Sequence, residues 1–363
     1  MLRVLFAFVI IIHGLIHFLG FAKANSLLHV DQLSQPTPKS LGLTWLLIGL
    51  LFLTGAFGFL MRKEWWMLLP IAALLSQILI FIYWQDAKYG TLINTMIILI
   101  CAIAYGTWSF NRKVESEISA LMTSDSPTQN VITRESISHL PPMIQKWMER
   151  SKALENPSIQ FAYIKQTGRM KTTPDGRWMT FSAQQFINVT KPGFIWQAHV
   201  RALPLFHLSA RDKYAAGHGN MLIKLQSLVT IANESGYAID QGSLCRFLAE
   251  MIWYPSAALN DYVEWKEIDE HTVEATIKYQ HLSGTGIFTF TPSGDVGSFE
   301  TLRYYVHKNE SSLEKWNINI DENSYDEFEG RRIPKNASVT WKLKSGDFTW
   351  YKLEVQEVRY NAL

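Results

Sequence analysis

Four long stretches near the start of the chain contain no Asp, Glu, Lys or Arg, and nothing else in the sequence restricts the fold as strongly. They are Val4–Ala22, Leu41–Met61, Trp65–Trp84 and Thr91–Phe110. A helix needs about 20 apolar residues to cross the hydrocarbon core of a bilayer. A single charge at mid-helix would cost roughly 2.5–3.5 kcal/mol on insertion scales. Trp45, Trp65, Trp66, Trp84, Tyr89 and Trp108 fall near the run ends, where an interfacial aromatic belt belongs. The expectation is a four-helix transmembrane domain over residues 1–112. The first run also carries marks of a cleaved signal peptide, with Arg3 ahead of it and Ala22-Lys23-Ala24 behind. It is longer than an ordinary signal h-region, so a retained anchor is expected.

The charge divides at the same place. Residues 1–112 hold seven Lys/Arg and three Asp/Glu, and the remainder holds 27 and 29. A slightly acidic second part without a basic run argues against nucleic acid as a partner, because phosphate neutralisation needs clustered cations. Cys101 and Cys245 are the two cysteines, which excludes a disulfide framework and a Cys-rich zinc site. With the N-terminus inside, Arg3, Arg62, Lys63, Arg112 and Lys113 fall on the inner side and Lys23, Lys39 and Lys88 on the outer. That bias places both termini, and the large domain, in the cytoplasm.

Two polar features interrupt the apolar half. His13 and His17, in His13-Gly-Leu-Ile-His17, are four residues apart and share a helix face. They can be read as a haem or metal ligand pair or a proton relay, or as interhelical hydrogen-bonding groups beside a close-approach Gly14. The segment from Trp84 to Thr91, with Asp86 and Lys88, reads as a capped, solvated turn.

Residues 113–132 are polar and aperiodic, a helix tail running into a linker. From Thr133 to about Leu154 a helical stretch, interrupted at Pro141-Pro142, carries Ile144, Trp147 and Met148 as a one-sided stripe. Beyond Ile159 the period is two. Strands are expected at 159–170, 178–189, 194–202, 206–214, 220–231, 262–268, 272–279, 286–291, 297–307, 315–322, 337–344 and 348–360. One helix, Gly242–Leu259, interrupts them. About twelve strands on short connections make a large antiparallel sheet that must curl or close. The fold class is therefore an α-helical membrane segment followed by a mainly-β soluble domain, residues 133–363, with an inserted helix.

No nucleophile elbow, phosphate loop or dinucleotide fingerprint is present, so no catalytic residue and no cofactor is assigned. Gly284-Thr-Gly286 and Gly217-His-Gly219 read as turns. The most informative stretch is Arg246 to Pro255, where Arg246 and Glu250 are spaced to pair on one helix face. If that helix covers the concave side of the sheet, Arg246, Glu250 and Trp253 lie at a ligand cleft. Trp178, Trp196 and Asp212, on the preceding strands, are the candidates for the facing wall. The alternative is a structural ion pair anchoring helix to sheet.

Trp178-x-x-Phe181-x-Ala183-x-Gln185, Gly193-Phe-x-Trp196, Asp212-x-Tyr214-x-x-Gly217-x-Gly219, Arg246-x-Leu248-Ala-Glu250-x-x-Trp253-x-Pro255 and Trp341 together resemble an uncharacterised bacterial domain family. The resemblance covers about residues 133–361. In some members a similar four-helix membrane segment precedes the domain, and His13-Gly-Leu-Ile-His17 through Ala22-Lys23-Ala24 is similar to its opening. This implies a multi-pass protein of the bacterial inner (cytoplasmic) membrane and brings no activity with it. The strand–helix–strand order is also similar to the open half-barrel of lipoprotein carriers and related lipid-binding domains. The leading expectation is a membrane-tethered domain that binds an apolar ligand, such as a lipid or acyl chain. A docking subunit of a membrane complex, with an unidentified protein partner, and a haem-linked redox protein using His13 and His17 are the alternatives.

Overall fold

A computed structural model of the chain describes residues 2–61, 65–123, 130–307 and 310–361. Arg62 and Lys63, on which the inner-side charge bias partly rests, and residues 124–129 of the expected linker lie outside these. The chain forms two compact units, Met1–Phe110 and Asn111–Leu363.

The first unit is built from α1 (Leu2–Ala24), α2 (Lys39–Leu60), α3 (Leu68–Ile82), the short α4 (Trp84–Ala87) and the start of α5 (Gly90–Leu121). Four helical spans, Arg3–Ala24, Lys39–Leu60, Trp65–Ile82 and Gly90–Leu121, are long and apolar enough to cross a membrane. Their outward faces are apolar, with Val4, Leu47, Leu74 and Leu92 exposed. Phe52, Leu69, Ala72 and Ile97 are fully buried between helices. Small residues let α1 and α2 touch: a Cβ on Gly14 would lie 2.9 Å from Cβ of Phe52, and one on Gly49 2.9 Å from the Gly14 carbonyl oxygen. Arg3 donates to the carbonyls of Phe59 (2.5 Å) and Leu60 (3.0 Å), satisfying the end of α2 with a cation.

The second unit opens with α6 (Arg134–Ile137), closed by a Thr133/Ser136 capping box, and α7 (Pro142–Arg150), which buries Met143, Ile144, Trp147 and Met148. A meander follows: β1 (Phe161–Met170), β2 (Met179–Asn188), β3 (Gly193–Leu203), β4 (Phe206–Ala215), β5 (His218–Leu225) and β6 (Val229–Ser235). After α8 (Tyr237–Glu250) comes a second run, β7 (Val263–Asp269), β8 (Thr272–Tyr279), β9 (Leu282–Phe290), β10 (Val296–His307) and β11 (Glu310–Ile320). A separate hairpin, β12 (Tyr325–Phe328) and β13 (Arg331–Pro334), leads to β14 (Asn336–Leu343) and β15 (Gly346–Tyr360). The main sheet has thirteen strands in the order β6-β5-β4-β3-β2-β1-β15-β14-β11-β10-β9-β8-β7. Its first and last strands, β1 and β15, pair at the centre and join the two runs. The ends, β6 and β7, do not pair with each other. The sheet is an open half-barrel, and α8 lies in its concavity, touching β4, β5 and β6 on one arm and β8, β9 and β10 on the other.

Several elements differ from those expected. The run 220–231 is two strands, folded back at Gln226 and Ser227 with φ of 51° and 58°. Two left-handed residues make the hairpin turn that Asn-Gly usually signals, here without that signal. The helix starts at Tyr237 and ends as α-helix at Glu250; Pro255, which has no N–H to donate, leaves only short 3₁₀ turns at Met251–Trp253 and Pro255–Leu259. Gly284 and Gly286 lie inside β9 and not in a turn. They are small because α8 and β10 press on them: a Cβ on Gly284 would sit 2.7 Å from the Cys245 sulfur, and one on Gly286 2.1 Å from the Phe299 ring.

Candidate ligand-binding site

The inner face of the sheet follows from register, since directly opposed residues share a face. Val200, Phe181 and Gly168 are aligned across β3, β2 and β1; Phe348, Trp341 and Trp316 are aligned across β15, β14 and β11. The α8 helix covers one end of this face with Leu244, Phe247 and Leu248, all fully buried. The other end is aromatic. Phe181 stacks on Tyr351 at 4.7 Å between centroids, Trp196 approaches Tyr351 at 6.3 Å, and Tyr305 meets Trp341 edge-on at 5.0 Å. Around it Met170, Met179, Leu208 and Trp341 are only partly buried.

Between the two ends sits a polar cluster. Arg246 of α8 donates from Nε to Glu250 (2.7 Å), from Nη1 to Asp212 of β4 (2.7 Å) and from Nη2 to Gln185 of β2 (3.3 Å). Gln185 in turn donates to the second oxygen of Glu250 at 2.5 Å. The guanidinium lies over the rings of Phe194 and Trp196, 4.7 and 5.5 Å from their centroids. Burial alone would lower the Arg246 pKa, but Glu250 and Asp212 outweigh it and hold it above the ordinary arginine range. Burial likewise pushes the Tyr351 hydroxyl above its ordinary range.

Arg246, Glu250, Asp212 and Trp196 are therefore brought together as the sequence suggested, with Gln185 added. The arginine is saturated by its own neighbours, as a helix-to-sheet clamp would be. Trp178 and Trp253 are placed elsewhere. Trp178 precedes β2, is 38% exposed, and has the ammonium groups of Lys171 and Lys352 near its ring, 5.3 and 5.6 Å from the centroid. Trp253 is buried beyond the end of α8, where its indole donates to the Pro334 carbonyl (2.9 Å) and its own carbonyl accepts from Tyr360 (2.6 Å).

A second arginine was not expected. Arg303 of β10 lies on the inner face, two residues from Thr301, which pairs with Trp316. Its guanidinium rests on Trp316 at 4.5 Å, with Trp341 at 5.9 Å. Burial, slightly offset by Cys245, pulls its pKa down to about 10. Only the sheet order reveals this group, because Arg303, Trp316 and Trp341 come from three strands.

In the first unit, His13 and His17 belong to a continuous hydrogen-bonded chain. His13 Nε2 meets Asn94 Oδ1 (3.0 Å), Asn94 Nδ2 donates to Ser76 Oγ (3.1 Å) and to Gln77 Oε1 (3.2 Å), and Ser76 Oγ meets His17 Nε2 (3.0 Å). His17 Nδ1 closes it on the His13 carbonyl at 2.8 Å. The amide orientation sets His13 Nε2 as donor, and the last contact makes His17 Nδ1 a donor. Both His17 nitrogens are thus engaged, which favours the interhelical reading over a haem pair. Among the described residues no group of three or more His, Cys, Asp or Glu is placed to hold a metal ion. An apolar cavity of about 220 Å³ lies beside the two histidines, bounded also by Trp45 and Asp86. Asp86, within α4, accepts from the Ser34 N–H (2.8 Å) and hydroxyl, so it ties its segment to the loop before α2 and does not cap its own turn. A groove of about 600 Å³ in the second unit includes the exposed Arg169, Asn319 and Lys352. Neither space includes the Arg246 cluster.

An open antiparallel sheet curled around one helix, preceded in sequence by four membrane-length helices, defines a half-barrel protein with an N-terminal helical segment. The chain belongs to a family of unknown function, DUF6544, whose profile matches residues 130–353. Two solved structures are similar to it. One is a putative outer membrane lipoprotein-sorting protein domain from Vibrio parahaemolyticus, 6% identical, covering 61% of this chain and 91% of that one with a TM-score of 0.34. The other is a DUF1329 family protein from Desulfovibrio piger, 9% identical, covering 64% and 95% with a TM-score of 0.34. Among curated proteins nothing matches the sequence.

Proposed function

We propose that this is a multi-pass membrane protein whose half-barrel binds an apolar ligand, such as a lipid or acyl chain, at the aromatic end of its inner face. One observation carries the reading: α8 packs on the two arms of the sheet, and the inner face at its centre carries Phe181, Tyr351, Phe348 and Trp341 beside the partly buried Met170, Met179 and Leu208. Sites for small molecules are mostly apolar with a few placed polar groups. Each methylene buried there contributes about 0.8 kcal/mol, so a long chain can compete with the bilayer for its place. The rings now lie against one another, and a ligand enters by parting them. The test is native mass spectrometry of detergent-purified protein, with uptake of a fluorescent long-chain fatty acid. No co-purifying lipid and no uptake would reject the proposal.

The short-loop charges support a β domain on the cytoplasmic side of the inner membrane. A reporter fused after Leu363 that was active only in the periplasm would reverse that orientation. A docking role is favoured by one feature, the exposed edge strand β6, where Val229 and Ile231 are 61% and 57% exposed. Crosslinking from that strand to a membrane protein, abolished by proline at Ile231, would support docking.

A further inference from the structure

The geometry points to Arg303, seated on Trp316 and Trp341, as the receptor for an anionic head, a carboxylate or phosphate, carried by the apolar ligand. This rests on the binding role proposed above and names the class of ligand. The two inner-face arginines differ in one respect. Every nitrogen of Arg246 is spent on a carboxylate or an amide. Arg303 makes no hydrogen bond to any described residue, and its Nε is a buried donor without a partner. Buried polar groups are nearly always satisfied, and a buried cation without an anion is costly.

Its surroundings supply no anion. Glu314 stands opposite in the β10–β11 register, but its carboxylate accepts from the Ser312 hydroxyl at 2.8 Å and forms no ion pair with Arg303. Asp212 and Glu250 are held by Arg246, a like charge. On the helix side stands Gly242, whose missing side chain makes room for the guanidinium: a Cβ there would lie 3.1 Å from Nη2 and 3.3 Å from Nε. Thr301 and Cys245 stand next to it, and the Thr301 hydroxyl is already donated to the Thr285 carbonyl (2.6 Å). What remains is a planar fork held over an indole at the border of the aromatic face. That is the arrangement that receives a carboxylate or phosphate in two parallel hydrogen bonds. A chain attached to that head would extend over Trp341, Phe348 and Tyr351.

The full-length protein in detergent should be titrated with a long-chain fatty acid, the alcohol of the same chain, a lysophospholipid with phosphate head, and inorganic phosphate alone. The fatty acid and the lysophospholipid should bind about tenfold to a hundredfold more tightly than the alcohol, the range a charge-assisted pair supplies. Arg303→Gln should abolish that preference, bringing the affinities for the fatty acid and the lysophospholipid down to that for the alcohol. Arg303→Lys, which keeps the charge and loses the fork, should retain part of it. Thermal unfolding of each variant identifies one that fails to fold, and the comparison of anion with alcohol in the wild type stands without any variant. Equal binding of acid and alcohol would overturn the assignment of Arg303 while the apolar site survived. Binding of neither would overturn the apolar site itself. Inorganic phosphate binding as tightly as the lysophospholipid would show a free-anion site and overturn the lipid-head assignment.

Discussion

Replacing Glu250 with Gln separates the clamp from the ligand site. The change is nearly isosteric, yet both groups facing the carboxylate are donors: Arg246 Nε at 2.7 Å and Gln185 Nε2 at 2.5 Å. The new amide presents an N–H to one of them. Gln185 can turn its own amide to accept, but it then gives up its 3.3 Å contact with Arg246. Breaking a buried ion pair costs about 3–5 kcal/mol when the partner is stranded. Here Asp212 still holds Arg246, and about 2–3 kcal/mol is expected, the value of a lost charged hydrogen bond plus an unsatisfied donor. For a domain of this size that lowers Tm by roughly 4–12 °C. Thermal unfolding of the wild type, E250Q, D212N and the double variant should show coupling above about 1 kcal/mol between the two carboxylates. Fatty-acid affinity should be unchanged in E250Q, because Arg246 is a clamp and Arg303 the receptor. A Tm within about 1 °C of wild type would refute the hydrogen-bond reasoning, and lost affinity at unchanged stability would put Glu250 back in the binding site.

Three further outcomes are expected. Gly286→Ala should cost about 1–3 kcal/mol by overpacking against Phe299, and Phe299→Leu should recover part of it; chemical denaturation measures both. Asn94→Leu should remove the central link between His13 and Ser76 and destabilise the helical unit by about 1–2 kcal/mol, measured by unfolding in mixed detergent. His199 and His207 stack at 4.4 Å, and burial first, then Arg201 for His199 and His199 for His207, lowers both pKa values. The folded state thus resists their protonation, so stability should be full above about pH 6.5 and fall as the pH drops below it. His199→Asn should flatten that fall in a series of Tm against pH.

Much of this architecture can be read along the chain because it depends on local pattern. Charge-free runs mark the four membrane-length helices, and alternation marks most strands of the main sheet to within a few residues, while the short hairpin β12–β13 escapes it. The clamp was legible in part, since Arg246 and Glu250 are one helical turn apart. What failed depends on neighbours distant in sequence. Gly284 and Gly286 look like turn residues until Cys245 and Phe299 are seen pressing on them. Trp178 and Trp253 are aromatic and close in sequence to the cluster, but one falls before its strand and the other beyond the break enforced by Pro255. Arg303 carries no local signal, because the indoles beneath it belong to β11 and β14. The fold at Gln226 and Ser227 is hidden for another reason: ordinary side chains adopt a left-handed turn there that glycine or asparagine would have announced.

The chain of hydrogen bonds through the helical unit has a consequence for proton movement. A conducting wire needs each link to take up a proton on one side and release one on the other at low energy cost, as a hydroxyl, a water or an imidazole ring can. Asn94 interrupts that sequence: it accepts at Oδ1 and donates from Nδ2, and passing a proton between them would require the high-energy imidic acid form. Traffic between His13 and His17 is therefore blocked at the amide, although every neighbouring pair is within hydrogen-bonding reach. The histidines fasten α1 to α3 and α5, and a proton crossing this bundle would have to travel by another route.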